Sequence, residues 1–227
     1  MKVLVIAAHP DDEALGCGGT LLRHKSQGDR ISICLLGDGV SSRGQQGEAL
    51  KQALKERGRA AAAFAALVQA ELHLVGGFKD NQFDTAPFLE IVQAIEGLVR
   101  SCQPDLVYTN HGGDLNIDHA ITARAVLTAL RPGCGHRVQR LLAFEVLSST
   151  EWQSPALADT FAPNVFVDIT PFLSAKLEAL ACYQEELKDF PFPRSREGVE
   201  HLAAFRGLQA GVKAAEAFML IREVCPS

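Results

Sequence analysis

The chain has 227 residues, 47% of them apolar, and a formal net charge of −5. That suffices for one domain with a substantial core, so residues 1–227 read as a single domain, and the acidic balance argues against a nucleic-acid-binding surface. No apolar stretch approaches the ~20 residues of a membrane span. The six cysteines are scattered without a CxxC pair, which points to reduced thiols and a cytoplasmic setting.

Residues 3–8, VLVIAA, form a continuous aliphatic run typical of a parallel strand covered on both faces. The run is too short for a signal-peptide core and passes directly into charged residues. A helix is expected over 13–27, ending at Gly28, then a strand over 31–36 and a long Ala-, Lys- and Arg-rich helix over 48–67. Strands over 71–75 and 106–109 flank a helix over 87–101, and a helix over 119–130 follows. Further strands are expected at 141–146 and 164–168, then helices over 171–186 and 196–224 with the loop KDFPFPR between them. Strands alternating with helices predict an α/β, Rossmann-like three-layer fold: a mostly parallel sheet with helices on both faces. Its polar loops HPDDE, KDNQFD and NHGGDLNIDH then fall at one sheet edge, beyond the carboxyl ends of the strands.

His9-Pro10-Asp11-Asp12-Glu13 is over-supplied as a helix start. Pro10, one aspartate and Glu13 suit a first helical turn, but His9 and the second aspartate have no such reason to be there. Adjacent aspartates point in different directions, so one can ligate a metal beside His9 while the other faces a bound water. The loop at 111–119 adds His111, Asp114, Asp118 and His119. His9, Asp12 and His119 make a three-ligand set that leaves a position open. Two histidines and a carboxylate also describe the facial triad of non-haem iron, so the metal stays open. The GCGG run at 16–19 matches no phosphate loop and reads as close packing of a helix on the sheet.

AAHPDDEALGCGGTL together with GDLNIDHA resembles the PIG-L/LmbE-like family of zinc-dependent N-deacetylases, and FKDNQFD and the C-terminal RSREGVEHLAAFRGLQAGVKAAEAFMLIREV extend the likeness over nearly the whole chain. The resemblance implies Zn²⁺, with Fe²⁺ or another divalent ion also able to support hydrolysis, held by His9, Asp12 and His119. It implies Asp11 as general base and an N-acetylated sugar or sugar conjugate as substrate. Many members carry a histidine where this chain has Asn116. Asn116 can donate to an oxyanion but cannot act as an acid, which leaves Asp11 or His111 to protonate the amine. Asp118 is expected to orient His119 or its loop. Arg57 and Asp80, by the same likeness, and Arg43 are candidate substrate contacts, and Glu216 would close the site from the last helix. A homo-oligomer is implied. Two other readings stay open: an amidase on a larger acyl or thiol-sugar conjugate, and a carbohydrate- or nucleotide-binding module without catalysis.

Overall fold

Lys2–Ala7 forms β1, an inner strand of the sheet, in a computed structural model that describes residues 1–225. Beside it lie β2 (Arg30–Gly37), β3 (Ala70–Phe78), β4 (Leu106–Asn110) and β5 (Arg140–Phe144), all parallel. β6 (Val165–Asp168) and β7 (Ala215–Glu223) complete seven strands, with β7 antiparallel to both neighbours. The order is β3-β2-β1-β4-β5-β7-β6. The chain therefore builds outward from β1 on one side, then returns to build from β4 on the other. The crevice at that reversal is where α/β sheets place their ligands.

From Val3 onward β1 is apolar at every step because alternate side chains enter different cores. Val3, Val5 and Ala7 pack under α1 (Asp12–Ser26), α2 (Gly47–Leu67), α5 (Leu173–Ala179) and α6 (Arg196–Ala210). Leu4, Ile6 and Ala8 pack under α3 (Phe88–Cys102) and α4 (Ile117–Ala129). This is the three-layer α/β arrangement expected from the strand–helix alternation.

The GCGG run brings α1 hard against the sheet. A Cβ on Gly16 would stand 2.3 Å from Cδ2 of Phe144, and one on Gly19 would stand 2.9 Å from Ile169. The helix is kinked at Cys17, whose φ is −143°. Beyond the kink, the amides of Gly19 and Thr20 donate to the Glu216 carboxylate at 2.8 and 2.6 Å. Lys176 of α5 donates to the same carboxylate at 2.6 Å, and both charged side chains are buried.

Two expectations are corrected here. Residues 196–224 are not one helix: Gly211, at φ 75°, ends α6, and residues 215–223 form β7. The Ala-, Glu- and Met-rich composition favours a helix, but pairing on both edges with β5 and β6 overrides that weak preference. Glu216 consequently sits inside the sheet layer, capping the second half of α1, and not at the site. Lys176→Met should lower stability by about 3 kcal/mol, because it strands a buried carboxylate. The check is a shift in denaturant midpoint at unchanged slope.

Candidate active site

β1 ends by delivering His9 and Asp12 to the crevice. The Asp12 carboxylate accepts the His9 amide at 3.0 Å, and Asn110, at the end of β4, donates its side-chain amide to the same Asp12 oxygen at 3.1 Å. Asn110 also accepts the Ala8 amide at 3.0 Å, so one side chain ties the two strands at the reversal point. Asp11 precedes α1 but does not cap it with its side chain. Its φ of 122° is rare for a residue with a Cβ. Glu13 holds this conformation by accepting the Asp11 amide at 3.0 Å, and Tyr183 donates its hydroxyl to the other Glu13 oxygen. Burial pushes the Glu13 carboxyl up to about 8. The Asp11 carboxylate is thereby left free of the helix start and turned towards the cleft.

Each histidine has its own supporting carboxylate. His9 Nε2 lies 2.9 Å from Asp118 and 3.2 Å from Asp80, and its Nδ1 faces Asp12 at 3.8 Å. His119 Nδ1 lies 3.3 Å from Asp114, and its Nε2 lies 3.2 Å from Asp12. Asp118 thus touches His9, across the loop, and not its neighbour His119. Asp118 also accepts the amides of Asn81 and Phe83 at 2.6 and 3.0 Å, which anchors the KDNQFD loop. Asp114 accepts hydroxyl donors from Ser149 and Thr150.

Among the described residues, two groups have metal-ligating spacing, His9–Asp12–His119 and His9–Asp80–Asp118. Their hydrogen bonding separates them. In the second, Asp118 is saturated by His9 and two backbone amides. In the first, Asp12 Oδ1 and both His119 nitrogens are buried without a well-formed hydrogen bond. Buried polar atoms without partners are costly, so this set fits a cation. The charge balance agrees. Burial favours neutral groups at both positions, yet Asp12 and Asp114 raise His119 to about 10, and His119 and His9 draw Asp12 below the usual carboxylate range. The carboxylates call for positive charge between them, which a proton or a metal ion can supply. Asp114→Asn should weaken metal affinity about 10- to 100-fold through a misoriented His119, read by chelator competition.

A strongly polar cleft of about 180 Å³ opens over His9 and Asp11. Arg43, Arg57, Asp80 and Asn116 all line it, as do Asn81, Glu186 and Arg194. Asn116 caps α4 by accepting the Asp118 amide through Oδ1 at 2.9 Å. Arg57 is buried, donates to the Pro10 carbonyl at 3.0 Å and pairs with Glu186. Arg43 pairs with Glu186 as well, at 2.6 Å. His111 does not join them: its ring Nε2 meets the Asp159 carbonyl at 3.1 Å and its edge packs on Phe161. Sequence reasoning passed over Arg194, which contacts Asp11 at 2.8 Å, and Glu186. The only local signal was an arginine at the end of a proline-rich loop. Burial raises the Asp11 carboxyl, against the pull of Arg194 and Arg57.

Comparison with known proteins places this geometry. The family model described as PIG-L, GlcNAc-PI de-N-acetylase, matches residues 4–130. The chain is 29% identical to the uncharacterized deacetylase YaiS of Escherichia coli K12, over 78% of this chain and 88% of that one. It is 26% identical to the diacetylchitobiose deacetylase of Thermococcus kodakarensis, over 99% and 86%. Among solved structures, GalB, the 4-carboxy-2-hydroxymuconate hydratase of Pseudomonas putida KT2440, superposes with a TM-score of 0.77 at 21% identity, covering 100% and 99%. That likeness is one of fold, and a shared fold does not by itself fix the chemistry. The matched segment runs from β1 through α4 and carries both His/Asp clusters, so the chain belongs to the PIG-L family of deacetylases.

Proposed function

We propose that the protein is a metal-dependent hydrolase that removes the N-acetyl group from an N-acetylglucosamine-type amino sugar or its conjugate. The observation that carries this reading is the buried His9–Asp12–His119 set with unpartnered ligand atoms, standing beside an Asp11 that its own helix does not use. A divalent cation held by those three residues, zinc by family resemblance, supplies Lewis-acid polarisation of the amide and a water that ionises near neutral pH.

The chain's own residues do the remainder. Asp11 accepts a proton from the attacking water as the oxygen bonds to the acetyl carbon. When the C–N bond breaks, the amine nitrogen takes the electron pair and the proton returns to it from Asp11. With His111 engaged on the Asp159 carbonyl, Asp11 serves as both base and acid. Asn116 Oδ1 is committed to its helix, which leaves its amide N–H groups to donate to the acetamide oxygen. Arg43, Arg57 and Asp80 bind sugar hydroxyls, with Asp118 and Asp114 orienting the two histidines.

Among the described residues no helix is long and apolar enough to cross a membrane, and the six cysteines are free. The test is metal analysis followed by acetate release from a panel of N-acetylated sugars and conjugates. Stoichiometric metal with acetate release is expected. Metal-replete protein that releases no acetate from the whole panel would refute the reading.

A further inference from the structure

At the α4 start the cleft is lined by Asn116, which carries no charge, and its nearest cation to Asp11 comes from elsewhere. Arg194 comes from the segment after α5, where residues 180–186 form a 3-10 helix and the proline-rich stretch 187–195 crosses towards α6. Its guanidinium is fixed at two points: Nε donates to the Leu147 carbonyl at 3.0 Å, and Nη1 donates to Asp11 Oδ2 at 2.8 Å. The segment is held down at its other end by Glu186, which pairs with Arg43 and Arg57. Arg194 is only partly buried, and it lines the cleft together with His9, Asp11 and Asn116.

A guanidinium has five N–H donors in a rigid fork. Two bonds position this one and its Nη1 also stands 3.8 Å from Glu186, which leaves the Nη2 donors beside the residue that handles the proton. A structural staple between a loop and Asp11 would need only the Asp11 contact. The second anchor on Leu147 fixes the plane of the fork as well, which is the requirement for a preorganised donor at a developing negative charge.

We propose that Arg194 is a catalytic residue, whose free N–H donors bind the acetamide oxygen as it gains charge. The inference rests on the deacetylase reading above. In the step concerned, water's oxygen bonds to the acetyl carbon, the carbonyl π pair moves onto the oxygen that Arg194 faces, and Asp11 holds the released proton. Collapse of that oxygen's charge expels the amine, which takes the proton from Asp11, so one amide and one water give one amine and one acetic acid. Arg194 carries no proton in this sequence; it contributes fixed charge and direction.

The test compares wild type with Arg194→Met and Arg194→Lys at equal metal content. Arg194→Met should lose about 10²- to 10³-fold in kcat with KM changed less than about threefold. Arg194→Lys, which keeps the charge and the Asp11 contact but loses the fork, should recover only a small part of that loss. Acetohydroxamate, which presents an anionic oxygen beside an acetyl carbonyl, should bind about tenfold more weakly to Arg194→Met than to wild type. Full activity in Arg194→Lys, a loss carried by KM alone, or equal acetohydroxamate binding would overturn the proposal. If wild type releases no acetate from any sugar, the deacetylase reading fails and the catalytic role falls with it, whereas acetate release with equal acetohydroxamate binding in the two proteins overturns the role of Arg194 alone.

Discussion

Asp11→Asn is expected to keep its metal and to lose about 10²- to 10⁴-fold in kcat, the range associated with removing a general acid–base group. Asparagine retains the size of the side chain and an acceptor for Arg194, so the loop contact at 2.8 Å and the strained backbone have no reason to rearrange. What is lost is the ability to take a proton from water and return it to the amine. Three nearby groups are not placed for that exchange: His111 is tied to the Asp159 carbonyl, Asn116 does not titrate, and Glu13 is occupied by Tyr183 and the Asp11 amide. Steady-state acetate release with parallel metal analysis is the check. Wild-type turnover in this variant would remove the mechanism, whereas low turnover with low metal would mean that Asp11 acts on the site's assembly.

His119→Ala is expected to emerge from dialysis without metal and without activity. The effect should exceed the ~100-fold loss typical of supporting partners such as Asp114, because a ligand and not its orienting group is removed. The side chain is 1% exposed and lies between Asp12 and Asp114, so the variant also leaves two carboxylates without their counter-charge. Destabilisation of about 3–5 kcal/mol accompanies that loss. His119→Gln separates the two effects, since it fills the space and keeps a donor for Asp114 while offering a poor ligand. Metal content by elemental analysis and an unfolding curve on each variant make the distinction. Tight stoichiometric metal in folded His119→Gln would transfer the site to the second group, His9–Asp80–Asp118.

How legible the molecule was depends on whether a feature is local in the chain. The strands and most helices follow from periods of apolar residues and from caps and glycines, all properties of short windows. The placement of HPDDE, KDNQFD and NHGGDLNIDH at one edge follows from parallel topology alone, and each loop does reach the crevice through His9, Asp80 or His119. The reading of 196–224 failed because β7 owes its form to hydrogen bonds with β5 and β6, contributed by residues 47 (Asp168 to Ala215) to 83 (Arg140 to Glu223) positions away. The partnership of Asp118 with His9 was hidden for a similar reason: sequence adjacency suggested His119, but a helix start turns neighbouring side chains in different directions.

The opening cluster itself gained a division of labour. Glu13, a helix-start residue by composition, supports the backbone of Asp11, and Asp12 is the buried member that shares its oxygen with His9, Asn110 and His119. By itself the sequence determined the layer architecture, the edge that carries the chemistry and the residue types assembled there, because periodicity and motif spacing act within tens of residues. Only the tertiary structure decided which ring nitrogen faces which carboxylate, which histidine is turned away, and that Arg194 stands against Asp11 from 183 residues along the chain. Those choices come from side chains converging out of separate loops, and no local pattern encodes that convergence.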